Sequence, residues 1–594
     1  MPPVTTIRTV FGIDLRTLAL FRVCLGLWLL ADLINRAGHL VAHYTDIGVF
    51  PRATAVEYLS DWRLSIHLVN GSAWFQATLF IIAGLLALCL ILGYRTRIVT
   101  IASWFLLLSL QNRNPVLLQG GDNLALMLLF WGMFLPLGAR FSVDAAMNDA
   151  TEKAPNAYFS VATMALLIQC MSVYFFSAFL KSGVEWIPDG TAVYYALHAE
   201  SYVTVFGIWL RQFDTLMQGL TYFVWGLELI GPLLMFAPLW HLPLRLLTMF
   251  LLISMHVGFI VFLDVGLFPY ISITSLLAFT PTWVWEKLGA LVRTPERLGV
   301  RMYYDGDCGF CRKTCLLMRT FLLLPETTVA PAQADEEIHR LMTERDSWVV
   351  VDYDGQRYLR WRAVALVFRR SALFWPLGYL FDLAALRPLG ERVYTFAAKH
   401  RQGFLGRWSA TMLPYRPVAV APSTGASVVV GLFMILVLFK NILTIPSVHY
   451  EVPDLLVPLS ATLRLDQYWD MFAPYPLNAD GWHVIRGELR DGTVVDVYNR
   501  REGEPSWEKP IYIARTYSDY RWRKYLSRIR TKRNNGQLLN YGRYLCGSWN
   551  SGTPAAKQLM TYKIQFNSQR TLPDYQERKT HKKVIWHHDC FAKA

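Results

Sequence analysis

The chain has 594 residues, of which 54% are hydrophobic and only 17% charged, with a formal net charge of +14. A soluble protein of this length would carry about a quarter charged residues, and several apolar runs here approach the roughly 20 residues that span a bilayer. This excludes an ordinary soluble enzyme, and the positive charge does not by itself argue for nucleic acid, because much of it flanks apolar runs or lies near the C-terminus.

In chain order, hydropathy predicts spans at 17–34, 73–92, 98–110, 124–137, 157–180, 216–239, 244–263 and 265–279, and a ninth at 428–443. The third, fourth and eighth are short for lipid-exposed spans and are expected to sit partly inside a bundle. The first holds Arg22 and Asp32 and lacks a small-residue cleavage site, so no cleavable signal peptide is expected. Loop charge sets the orientation. With the N-terminus inside, the inner loops carry Arg8, Arg16, Arg95, Arg97, Arg140, Lys153, Arg245, Lys287 and Arg293, against Arg36, Arg52, Arg63, Arg113, Lys181 and Arg211 outside. This predicts residues 298–405 inside and those after the ninth span outside; the membrane is expected to be a bacterial-type cytoplasmic one.

Polar groups cluster within this apolar part. Arg113 and Asn114 lie in QNRNP, Asp122 in GGDN, Tyr174, Lys181 and Glu185 in YFFSAFLKSGVEW, and His256 in ISMHVGF. Ionisable groups at membrane depth are costly and are usually paired or functional. A desolvated lysine holds its proton less tightly and can act as a base, which makes Lys181 the leading candidate. The plain alternatives are a Lys181 that snorkels at a helix end, a hydrogen-bonded core His256, and an Arg113–Asp122 pair that closes a loop.

Together with HYTDIGVFPR at 43–52 and GGDNLALMLLFWGMFLPLGARFSVD at 120–144, these motifs resemble the horizontally transferred transmembrane (HTTM) domain shared with vitamin K-dependent γ-carboxylase, over residues 10–285. The resemblance implies a quinone or hydroquinone pocket, with Lys181 in the place of the base that deprotonates vitamin K hydroquinone to drive carboxylation of a glutamate substrate. Ser177-Ala178 stands where the carboxylase has Ala-Gly, and no counterpart of a propeptide-binding region is seen.

Tyr303-Tyr304-Asp305-Gly306-Asp307-Cys308-Gly309-Phe310-Cys311 follows a short apolar run and leads into helical spacing from 313 to 324. This predicts a strand, an acidic-glycine turn with Asp305 and Asp307, and a CxxC at a helix start, where the helix dipole stabilises a thiolate. Cys308, nearest the helix end, is the expected attacking thiol and Cys311 the buried, resolving one. With no second CxxC, a metal site is not expected, and Cys315 is expected to pack. YDGDCGFC resembles the signature of the DCC family of thiol–disulfide oxidoreductases, over residues 300–401, which implies a thioredoxin-like fold. A strand from Ser347, a turn at Asp354-Gly355, a strand at 358–361 and a helix from Ala363 follow; Asp346-Ser347 stands where a classical thioredoxin has a cis-proline.

After residue 446 the composition shifts. Residues 481–490 and 493–498 alternate around Asp491-Gly492, a strong hairpin signal. Residues 520–530 read as a basic amphipathic helix, expected at the membrane surface, and 562–566 as a strand. WDMFAPYP at 469–476 is expected to pack this α+β domain onto the bundle, and Cys546 and Cys590 form a disulfide candidate if this part lies outside.

The predicted architecture is thus an α-helical integral membrane bundle of about 8–9 spans (1–290, with a final helix at 425–445), an inserted thioredoxin-like α/β domain (298–405) and a C-terminal α+β domain (446–594). The leading functional expectation is a membrane-bound thiol–disulfide oxidoreductase that exchanges electrons with a protein thiol or a quinone. A carboxylase-like enzyme and a non-catalytic scaffold or immunity-type protein are the alternatives. The lipid bilayer is the expected partner; nucleic acid, a metal and, in the absence of a Rossmann fingerprint or phosphate loop, a nucleotide cofactor are not expected.

Overall fold

The structure, a computed structural model, describes residues 6–59, 61–150, 155–530, 535–572 and 579–592; Lys153, used above to orient the chain, lies outside them. Helices occupy all nine apolar runs: Leu15–Ala37, Ala73–Leu92, Thr96–Arg113, Gly120–Gly132, Val161–Leu180, Asp214–Met235, His241–Phe262, Phe268–Leu277 and Thr424–Ile442. Five of them are long and apolar enough to cross a membrane: Leu15–Ala37, Ala73–Leu92, Val161–Leu180, His241–Phe262 and Thr424–Ile442. The run predicted from 157 starts its helix later. Ala157–Tyr158 pairs as a strand with Ile13–Asp14, and Ser160 then caps the helix through a reciprocal bond with Thr163.

These helices define two poles. At the first, Leu15 bonds to Asn156 beside the Ile13–Tyr158 pairing, and Arg140 reaches Asn156 at 3.2 Å. The buried Arg22 guanidinium donates to the carbonyls of Leu137 (3.0 Å) and Phe141 (2.6 Å), which ties the end of one helix run to the start of another. At the second pole Asp32, Arg36 and Asp122 converge with Arg521 of the C-terminal domain, all fully buried. Arg36 donates to Asp32 (2.7 Å), Asp122 (2.5 Å) and the Tyr44 hydroxyl (2.7 Å). Arg521 donates to Asp122 at 3.0 Å and also to Asp32. Two cations and two anions balance here.

The basic helix Tyr520–Ile529 is therefore not a membrane-surface helix as its composition predicted. Tyr520, Arg521, Arg523, Tyr525, Leu526 and Ile529 are buried against the bundle and the domain's own sheet. Arg523 donates to Ser201 O and Asp264, and Arg528 to the carbonyls of Pro115 and Val116. Its arginines satisfy carbonyls and carboxylates at helix ends, a role that only the folded chain reveals. The sheet behind it has five antiparallel strands, in the order Thr580–Asp589, Leu559–Arg570, Ala479–Leu489, Val494–Asp496 and Arg501–Glu502. Its core is shared with Tyr44, Val49, Phe50 and Val116 of the membrane part. Cys546 and Cys590 are joined as a disulfide, Cα–Cα 5.5 Å.

Between the last two bundle helices lies an α/β domain. Its sheet runs Thr328–Pro331, Arg301–Tyr304, Val349–Val351, Arg357–Leu359; the first pair is parallel and the others antiparallel. Asp346-Ser347 forms the turn into Val349–Val351, with Asp346 in the left-handed region (φ 43°). The domain is fastened at the first pole: Tyr94 OH donates to Met412 O, Arg416 N to Met147 O and Val418 N to Asn148 Oδ1.

Removing one partner of a buried, balanced ion network leaves an uncompensated charge and costs about 3–5 kcal/mol. Arg521→Ala is expected to destabilise the protein by about that much and to expose residues 446–594 to limited proteolysis in detergent. An unchanged melting curve and digestion pattern would contradict this role for the network.

Candidate functional site

The dithiol sits where a strand gives way to a helix. Cys308 is the N-cap of Gly309–Phe321, and its sulfur accepts the N–H of Cys311 at 3.3 Å. The turn before it is built by Asp305, whose carboxylate accepts the N–H of Asp307 (3.1 Å) and whose carbonyl accepts the N–H of Cys308 (2.9 Å). Gln333 bridges Asp305 and Gly306, and Arg401 stands 3.9 Å from Asp305. The Asp307 side chain faces solvent. Cys308 and Cys311 are joined as a disulfide.

The exposure of the pair reverses the sequence expectation. Cys308 is buried at 3% exposure, and Cys311 is the more open of the two. Segments outside the motif set this order. The dithiol helix packs on Phe404–Met412 and on Val143–Ala146 of the membrane part, Lys313 donates to Ser409 O at 2.7 Å, and the Tyr415 ring lies under Arg312 and Lys313. Cys311 instead lines a largely apolar cavity of about 190 Å³ with Phe310, Met318, Trp361, Tyr394 and Arg401. Cys315 lies on the same wall, and burial pushes its thiol up to about 12.

At the second pole Lys181 ends the helix Val161–Leu180, buried, over the face of Trp186 at 4.5 Å. Its ammonium pairs with the buried carboxylate of Glu228. Glu185, the acidic residue that the sequence places nearby, is half-buried and is not that partner. Glu228 was missed because one carboxylate in an apolar run has no meaning until its partner 47 residues earlier is brought beside it. Tyr174 and His256, from two other turns of the bundle, share a hydrogen bond of 2.8 Å.

Arg113 and Asp122 do not pair. Arg113 donates to Phe50 O at 2.6 Å and Asn114 to His43 O at 2.9 Å, so both hold the loop 43–52, whereas Asp122 belongs to the Arg36–Arg521 network. A cavity of about 300 Å³ lies beside the Lys181 helix, lined by Val173, Ser177, Phe268, Trp469, Tyr520 and Lys524. Ser177 Oγ is buried there without a hydrogen bond. The loop after Lys181 is stitched to the cavity's roof by Trp186 Nε1 donating to Phe472 O (3.0 Å) and Gly183 N to Pro474 O (2.9 Å). Among the described residues no group of His, Cys, Asp and Glu is arranged to hold a metal.

Dithiol and lysine lie at opposite poles. The Val161–Leu180 helix starts beside Tyr158 at the first and delivers Lys181 to the second, about 30 Å away at 1.5 Å per residue. The molecule is thus a helical bundle of membrane type carrying a dithiol domain at one pole. Family models match in that order: the HTTM domain over residues 12–283 and the DCC1-like thiol–disulfide oxidoreductase over residues 302–407. The chain thus carries an HTTM domain followed by a DCC1-like thiol–disulfide oxidoreductase domain. Among curated proteins it is similar to the uncharacterized protein YuxK of Bacillus subtilis (strain 168), 31% identical over 128 residues, 20% of this chain and 92% of that protein. No solved structure matches. The HTTM domain and the apolar helices fit an integral membrane protein, and the DCC1-like domain supports oxidoreductase activity.

Buried, and with its pKa raised by that burial, the Cys315 thiol stays neutral and out of reach of reagents at pH 8. In reduced, folded protein, iodoacetamide at pH 8 is expected to leave Cys315 unmodified and to modify it only after unfolding, as read by peptide mass mapping. Alkylation of Cys315 in the folded state would contradict its burial.

Proposed function

We propose that the protein is a membrane-bound thiol–disulfide oxidoreductase in which Cys311 meets the substrate and Cys308 is the leaving and resolving thiol. The observation that carries this reading is the division of labour in the pair: Cys311 faces the cavity, while Cys308 holds the helix N-cap. A substrate thiolate entering the cavity attacks the Cys311 sulfur. The Cys308–Cys311 bond breaks, and Cys308 leaves as a thiolate stabilised by the Cys311 N–H and the helix N-terminus. A second substrate thiolate then attacks the substrate sulfur of the mixed disulfide, which releases an oxidised substrate and leaves Cys311 as a thiolate. Two electrons pass to the protein, and the reverse sequence reduces a substrate disulfide. A protein thiol or a quinone serves as the exchange partner. Following loop charge, this pole is the cytoplasmic one, and residues 446–594 lie outside.

Cys308→Ser is expected to accumulate a mixed disulfide at Cys311 when treated with an oxidised thiol such as glutathione disulfide, and Cys311→Ser to accumulate none at Cys308. The opposite pattern would reverse the roles. Lys181→Ala should leave thiol–disulfide exchange unchanged, because the lysine is at the other pole.

A second activity is favoured by the buried Lys181–Glu228 pair, which closes the helix whose Val173 and Ser177 line the 300 Å³ cavity. In a carboxylase-like reading Val173, Phe268 and Trp469 would hold a quinone, and Ser177 Oγ would offer it a hydrogen bond. The cavity's size and aromatic lining fit such a ring. A reduced quinone bound there would supply the reducing power for oxygen chemistry. In this reading Glu228 takes the Lys181 proton, and the neutral amine then accepts one from the substrate hydroxyl; Trp186 shields the pair from water. General base catalysis contributes about 10²–10⁴, so Lys181→Ala is expected to lower oxygen-dependent hydroquinone epoxidation by about 100-fold or more. Wild-type protein that epoxidises no reduced quinone would reject this second activity and leave the first intact.

A further inference from the structure

Three short helices of the dithiol domain carry apolar stripes that are largely exposed among the described residues. In Arg387–His400 the stripe is Leu389, Val393 and Phe396, exposed by 58%, 55% and 58%; in Phe404–Met412 it is Phe404, Trp408 and Met412, the first exposed by 64%. Trp375 and Tyr379 in Trp375–Phe381 add a third, with Leu373 and Leu383 at its ends. Spacings of three or four residues put each set on one helix face. Such a face would cost a water-soluble domain its solubility unless it had a partner.

The surroundings specify the partner. Between 387 and 416 the chain carries Arg392, Lys399, Arg407 and Arg416, besides Arg387 and Arg401, which pair with Asp382 and Asp346, against the single acid Glu391. Apolar stripes bordered by arginine and lysine are the signature of helices that lie in the headgroup region of an anionic bilayer. The position agrees. Phe404–Met412 is tied by Met412 O to Tyr94, at the end of the apolar helix Ala73–Leu92, and residues 412–423 run directly into the apolar helix Thr424–Ile442. The stripe of Phe404–Met412 is thus held next to two apolar helices of the bundle.

We propose that Trp375–Phe381, Arg387–His400 and Phe404–Met412 form an apron that lies in the bilayer surface, so that the dithiol cavity opens toward lipid. The two faces of Arg387–His400 carry the argument. Tyr394, Ala397, Ala398 and Arg401 line the cavity beside Cys311, and Val393 belongs both to the cavity rim and to the exposed stripe. Gly390 lets this helix lie on the Trp361 ring, where a Cβ would come within 2.0 Å of the ring. The mouth of the cavity and the apolar stripe are thus adjoining surfaces. Resting on the oxidoreductase reading, this makes the substrate one that reaches Cys311 at the membrane surface rather than from bulk water.

The test is photo-crosslinking of the full chain in liposomes of zwitterionic and anionic phospholipid that contain a phospholipid with a diazirine near the headgroup, followed by peptide mapping. Adducts are expected in peptides covering 373–383, 387–401 and 404–412, at levels comparable with the Ala73–Leu92 helix, and not in 335–346 of the same domain. Leu389→Ser with Phe396→Ser, at exposed positions, should reduce the adducts in 387–401 and leave the Ala73–Leu92 adducts unchanged. Adducts in Ala73–Leu92 without any in the three apron peptides would overturn the proposal, as would chain-to-chain crosslinks at the stripes in place of lipid. Cys308→Ser with Cys311→Ser should give the same lipid adducts, so a failed redox activity and a failed apron are told apart.

Discussion

Four buried charges, Asp32, Arg36, Asp122 and Arg521, decide how this chain is put together. Two come from the first bundle helix, one opens the fourth, and one comes from a helix near the C-terminus. None is tolerable alone away from water, and as a balanced set each satisfies the others. Through Arg521 the network seats the helix Tyr520–Ile529 on the second pole, and that helix supplies Tyr520 and Lys524 to the cavity beside the Lys181 helix. The C-terminal domain in consequence helps to wall that cavity, and its core shares residues with the membrane part.

Much of the local architecture was legible in the sequence. Nine apolar runs became nine helices, an Asp-Gly between alternating residues became a hairpin, and Asp305-Gly306-Asp307 became the turn that places Cys308 at a helix N-cap. These features are written in neighbouring residues. What escaped depends on residues far apart. Glu228 gains its meaning from Lys181, and the burial of Arg521 from Asp32 and Asp122, 489 and 399 residues away. The CxxC spacing by itself places both sulfurs at the helix start but is silent on which is open. That is set by Phe404–Met412, Tyr415 and the helix Val143–Ala146, which close over one flank of the dithiol helix.

The fusion joins two domains without joining their candidate sites. A buried lysine–carboxylate pair lies at one pole and a dithiol at the other, with the length of a membrane-spanning helix between them. Direct contact between the two is excluded by that distance. Any exchange of electrons between them requires a carrier that moves through the bilayer, and an apolar apron around the dithiol cavity is the feature that would let such a carrier arrive from the lipid side.

The most direct test of this separation is labelling of sealed cells with a membrane-impermeant maleimide. One reporter would be Asp307→Cys beside the dithiol and the other Ser182→Cys beside Lys181, each in a background without other reactive thiols. The account predicts that Ser182→Cys is labelled in intact cells, whereas Asp307→Cys is labelled only after the membrane is opened. Labelling of both from the same face would contradict it and would place the dithiol and the lysine in one compartment.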